Sequence, residues 1–152
     1  ILDLLRSINS TLGVTIVVVT HEMSVVKSIC NKMAILNKGE IIDVGNVDDI
    51  FLQGRKSLRF VVGEQVNGAS NLYHSDCIKI IFRNKKENEL LLSKLSKETD
   101  IAYTVAWSSF DTYRGEVKGY YIIKFNIKDK NDLITYLRKE QVEFMEVDDH
   151  DE

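Results

Sequence analysis

The 152-residue chain contains no proline, so its turns must be marked by Gly, Asn and Asp instead. It has only two cysteines, Cys30 and Cys77, far apart and without a CxxC pair. That spacing favours reduced thiols in a cytoplasmic protein over a disulfide framework or a zinc site. No apolar run reaches the roughly 18 residues a membrane span requires. A basic excess is also missing: the net charge is -3, which removes the general electrostatic footprint of a nucleic-acid binder. The N-terminal residues ILDLLRSIN carry Asp3 and Arg6 within an amphipathic pattern and are not a signal peptide. The chain opens at Ile1, without an initiator Met and already in helical register, and reads as a piece of something longer.

What is present is a soluble-globular balance, 44% hydrophobic and 28% charged, enough for one ordinary domain or two small ones. Ile1, Leu4, Leu5 and Ile8 share one helical face, and residues 9–13 end that helix. Residues 15–20, TIVVVT, are apolar and β-branched without alternation, which predicts a strand buried on both faces. Met23, Val26, Ile29 and Cys30 mark a second short helix. Residues 33–36 and 40–44 form a hairpin about Asn37-Lys38-Gly39, and Gly45-Asn46 breaks it. Asn46 is placed to cap a helix over residues 47–51, with Asp48 and Asp49 in its first turn. Residues 53–70 read as a linker with one helical turn at 57–61, and a domain boundary falls near Asn71.

The rest has its own pattern. Residues 77–82 are a strand with Ile78, Ile80 and Phe82 on one face. Residues 86–97 are a helix carrying Leu91, Leu92 and Leu95. Residues 101–108 alternate Ile101, Tyr103, Val105 and Trp107 with small side chains, and 108–116 read as a turn. Residues 117–127 form a long strand, 129–140 a helix with Leu133, Ile134 and Leu137 inward, and 142–147 a last strand. The acidic tail covers 149–152. The order βαββαβ predicts an α+β, ferredoxin-like domain: an antiparallel sheet with both helices on one face. Its last and second strands are the edges, and the second strand keeps a free hydrogen-bonding edge open to another copy.

His21, directly after TIVVVT, admits three readings. A zincin pair needs a second His four residues on, where Val25 stands, so that reading fails. It is either a polar stop on a strand or a group at the carboxyl end of a strand, where α/β sheets place ligands.

The run TIVVVTHEMSVVKSICNKMAILNKGEIIDVGNVDDIF resembles the end of an ABC-transporter ATPase domain: strand, switch histidine, short helix, hairpin at Lys38-Gly39-Glu40, then Val44-Gly45 and a helix. The resemblance covers residues 1–52 as an incomplete α/β segment. It implies that His21 contacts the γ-phosphate of ATP in the parent protein, with Mg as the metal. No G-x-x-x-x-G-K-[ST] loop occurs in the chain, and the family's signature stretch and magnesium-handling acidic strand end are also missing. This chain alone is therefore expected to hold no cofactor and to be inactive as an ATPase. Residues 71–148 resemble the NIL domain, an ACT-like module of methionine importers, through the βαββαβ order, Gly119 and the ending ITYLRKEQVEFMEV.

The resemblance implies a regulatory domain that binds methionine or a related amino acid, a membrane permease partner, a homodimer, and a peripheral place on the cytoplasmic face of the membrane. It places the ligand at Asp100, Ile101 and Tyr103, with Asp100 standing where the family often has Asn. Two other functions compete: a free-standing amino-acid sensor or interaction module, and an RNA-binding sheet using Tyr120 and Tyr121. The acidic charge argues against the RNA-binding sheet.

Overall fold

A computed structural model describes residues 1–62, 75–83 and 90–146. The chain divides into two compact units, Ile1–Val66 with Thr112–Glu116, and Asn67–Asp111 with Val117–Glu152.

In the first unit, α1 (Leu2–Leu12) ends on Gly13, whose φ of 64° is the left-handed closure that glycine allows. None of its residues is buried, and Leu4 and Leu12 are exposed. Residues 15–20 are not a strand: they pair with none of the described strands, and Val17 and Val19 are 85% and 97% exposed. β-propensity fills a strand only where neighbouring strands complete the ladder, and none of the described strands lies beside this one. Helix α2 (Met23–Ile29) buries Val26. β1 (Lys32–Asn37) and β2 (Glu40–Asn46) form an antiparallel hairpin whose turn residues Lys38 and Gly39 both have positive φ. Gly45 and Asn46 continue β2 rather than breaking it, pairing with Met33 and Lys32.

Helix α3 (Val47–Gln53) starts at Asn46, whose side chain does not cap the backbone but donates from Nδ2 to Asp49 Oδ2 at 3.0 Å. A 3-10 turn (Lys56–Leu58) and α4 (Arg59–Val62) follow, where one helical turn was expected. Ile35, Ile50 and Leu58 form the small core of this unit.

The second unit is the α+β domain. Its elements are β3 (Cys77–Phe82), α5 (Leu91–Glu98), β4 (Tyr103–Tyr113), β5 (Glu116–Phe125), α6 (Lys130–Lys139) and β6 (Glu143–Glu146). The sheet order β4-β5-β3-β6 puts the second and last strands of the domain at the edges, as the βαββαβ reading requires. β3 lies antiparallel between β5 and β6, with Ile80 opposite Tyr121 and Phe144. One face packs on the helices: Ile78, Ile80, Phe82, Ile123 and Phe125 meet Leu91, Leu95, Leu133 and Leu137. Burying such side chains contributes roughly 1.5–3 kcal/mol each, which makes this layer the domain's main source of stability.

Three expectations change here. Residues 108–113 are strand, not turn, so the β4–β5 hairpin is long and closes only at Arg114 and Gly115. Ile127 has left β5 and begins a 3-10 turn. β4 does not keep one face throughout: Tyr103 and Phe110 pack with the helix-side core, whereas Ala106 packs with Cys77 and Ile122 on the opposite face. From 103 to 106 is an odd step and from 103 to 110 is another, so strict alternation would put Ala106 and Phe110 together. The faces switch within the strand. The expected boundary near Asn71, the helix start at 86–89 and the tail lie outside the described residues.

Candidate functional site

The predicted ligand residues gather at the start of β4, on the free edge of the sheet. Asp100 is exposed, Ile101 is 9% exposed and belongs to the helix-side core, and Tyr103 is half-buried. Tyr103 is already engaged: its hydroxyl donates to the Leu92 carbonyl at 2.7 Å and lies 3.0 Å from Ser96 Oγ. Thr99 fixes the approach to this corner, donating from Oγ1 to the Leu95 carbonyl at 2.7 Å and accepting from the Ile101 amide at 3.3 Å. Asp100 therefore presents a free carboxylate over a pinned apolar corner, which suits an ammonium group. Further along the edge strand, Val105, Trp107 and Phe110 are 41–45% exposed.

His21 belongs to the first unit. It is exposed at a bend after the unpaired residues 15–20, and next to it the Glu22 amide donates to Thr20 Oγ1 at 3.0 Å. Among the described residues no group of three His, Cys, Asp or Glu side chains is placed to hold a metal. With no phosphate loop in the sequence, these residues do not fit a nucleotide and its magnesium by themselves. A polar cluster of the first unit forms around Arg114. Arg114 grips Asp48 with two bonds at 2.7 and 2.9 Å, its Nη1 donates to the Cys30 carbonyl, and its amide donates to the Lys27 carbonyl.

The sequence reading missed the face of the sheet that carries no helix. β3 is buried on both sides, not one: Cys77, Lys79 and Ile81 are as covered as Ile78 and Ile80. Lys79 is only 3% exposed, and its ammonium lies 4.0 Å from the centre of the Tyr120 ring. Burial pulls its pKa down to about 8. Burial also raises the Tyr120 hydroxyl, against hydrogen bonds from Ser109 and Trp107. In CIKIIF the lysine falls on the outward side of the alternating pattern, so the sequence carries no sign of this burial.

Comparison with known proteins bears on both units. The family described as "NIL domain" matches residues 76–146, the stretch that folds as the second unit's sheet and helices. The chain thus carries a match to the NIL domain over a little under half of its length. Its similarity extends well beyond the NIL domain. The chain is 33% identical over 147 residues to the methionine import ATP-binding protein MetN of Clostridioides difficile strain 630, covering 97% of this chain and 45% of that protein. The protein of the same description from Clostridium acetobutylicum is 31% identical, over 90% of this chain and 42% of the relative. That of Histophilus somni strain 129Pt is 36% identical, over 81% and 39%. The chain thus spans less than half the length of the curated relatives it matches. The NIL domain and the segment before it together bear out the resemblance drawn from residues 1–52 and 71–148. No helix among the described residues is long and apolar enough to cross a membrane.

Proposed function

We propose that this chain is part of the ATP-binding subunit of an ABC importer for methionine, with the NIL domain sensing intracellular methionine and slowing transport when it is abundant. The observation that carries this reading is the NIL domain at residues 76–146 within a chain similar over 97% of its length to a methionine import ATP-binding protein. In the whole protein His21 would face the γ-phosphate of ATP with Mg, using residues outside this chain for phosphate and metal. A membrane permease is the partner, and the subunit sits at the cytoplasmic face of the membrane.

The ligand corner follows from chemistry. Asp100 takes the methionine ammonium, and Ile101 and Tyr103 form the apolar wall for the thioether. A second copy pairs along the free edge of β4, which closes the corner and makes ligand binding and dimer formation mutually dependent. Calorimetric titration of this chain with L-methionine against leucine, glutamine and serine tests the reading. Methionine-selective heat that is lost in Asp100→Ala is the expected result. Silence toward methionine, or equal heats from all four, would refute it.

A further inference from the structure

Lys79 is a buried cation with no carboxylate partner among the described residues. It occupies the central strand β3, opposite Ile122 of β5 and Met145 of β6. Cross-strand partners share a face, so its neighbours there are Cys77, Ile81, Ile122, Tyr120, Lys124, Met145 and Glu143. Two carboxylates beside that face are paired with other cations. Asp76 pairs with Lys124 at 3.2 Å, and Glu143 takes two bonds from Arg83 at 2.5 and 2.8 Å. Alternation along β5 adds Lys118, 8% exposed, to the same side. Lys79 is thus a buried cation without a carboxylate partner among the described residues. Only the π-cloud of Tyr120 offsets Lys79 itself, among the described residues. A buried ammonium without a counter-ion is costly, and an anion brought to it would be held in a low-dielectric setting where the attraction is strong.

The surroundings say what kind of anion. Ile122 and Ala106 are apolar, Tyr120 lies over the ammonium, Met145 stands opposite Lys79 on β6, and Trp107 hydrogen-bonds Tyr120; Trp107 and Met145 have 41% and 39% of their surface open. A phosphate would want several donors, whereas one ammonium flanked by apolar and aromatic side chains suits a single carboxylate on an aliphatic chain. We infer that the helix-free face of the sheet is a binding site for a small aliphatic carboxylate, with Lys79 as its counter-ion and Tyr120 and Trp107 as its wall. This site is distinct from the Asp100 corner, and it does not depend on the methionine reading.

Trp107 is the only tryptophan in the chain, and it hydrogen-bonds Tyr120, so its fluorescence reports on this face. The probes are 4-(methylthio)butanoate, which has the carboxylate and no amine, and methioninamide, which has the amine and no carboxylate. In the wild-type chain the butanoate should change Trp107 emission saturably and methioninamide should not. In Lys79→Met the butanoate affinity should fall roughly tenfold or more, the loss expected for a charge-assisted bond. Near-ultraviolet circular dichroism checks that the variant folds. Reductive ¹³C-methylation of the wild-type lysines gives a second readout, in which the Lys79 resonance should move with butanoate.

No response to the butanoate in either readout overturns the inference. So does an equal response in Lys79→Met. Butanoate binding together with silence toward methionine would leave this site standing and remove the proposed sensing function. Methionine binding unaffected by Lys79→Met, with no butanoate response, would do the reverse.

Discussion

Replacing Lys79 with Met should make the NIL domain more stable at neutral pH, although it removes a charged side chain from the centre of the sheet. Burial takes the lysine from its ordinary 10.5 to about 8. At pH 7 the ammonium is still charged in the folded protein, and holding it there costs about 3 kcal/mol. The ring of Tyr120 returns about 1–2 kcal/mol of that when the site is desolvated. Methionine has a similar length and no charge, so the net expectation is a gain of roughly 1–2 kcal/mol.

The pH dependence carries a definite sign. Between pH 8 and 10.5 the unfolded chain holds the Lys79 proton and the folded chain has released it. The unfolded state therefore binds more protons, and stability rises with pH across that window. From pH 7 to pH 10 the wild-type protein should gain about 2 kcal/mol relative to the variant. Tyr136, pushed up to about 12 by burial and by the charges of Glu98 and Glu140, acts in the opposite direction above pH 10 and is common to both proteins. Urea unfolding followed through Trp107, at pH steps from 7 to 10, measures the difference. If Lys79→Met is less stable at pH 7, or the gap does not change with pH, the account of Lys79 as a destabilising buried cation is wrong.

Other expectations are more local. Gly119→Ala should cost about 1–3 kcal/mol in urea unfolding, because an added Cβ would meet the Ser109 carbonyl and come within 2.8 Å of Phe110 Cα; an unchanged midpoint would contradict the close approach of β4 and β5. Arg114→Ala should cost about 1–2 kcal/mol, discounted for its partial exposure, and Arg114→Lys should recover only part because an ammonium cannot make the paired bonds to Asp48. Full recovery by lysine would show that charge alone matters. Hydrogen exchange should find residues 15–20 fast and residues 122–125 slow in the same sample; equal protection would mean that TIVVVT is paired in solution. Tyr103→Phe should cost about 1 kcal/mol through the lost bond to Leu92, read as a shift in urea midpoint.

The elements legible in the sequence were those whose periodicity is local. Helices α1, α2 and α6 and strands β1, β3 and β5 begin within a few residues of where their apolar spacing placed them. The ferredoxin-like order was legible for the same reason, since right-handed crossovers leave few ways to arrange βαββαβ. Residues 15–20 show where this logic stops. Their composition specifies strand, but a strand is a relation between segments, and the described residues supply no partner. The 108–116 stretch failed the other way: Asp111 and Gly115 look like a turn, yet β5 offers a partner far enough along to carry β4 to Tyr113. Of the candidate site, Asp100 at an exposed corner followed from its place before the second strand. That Tyr103 is bonded to α5 could not be read without the distance from β4 to Leu92.

By itself, the sequence determined the α+β class of the second unit and its family resemblance, because these rest on apolar periods and short-range turn chemistry. Tertiary structure alone decided that β3 is covered on both faces. Lys79 in CIKIIF reads as the solvent side of a half-buried strand, and alternation gives no hint that it is sealed under Tyr120. A side chain's period says which face it takes; whether that face meets water depends on what the rest of the chain brings to it.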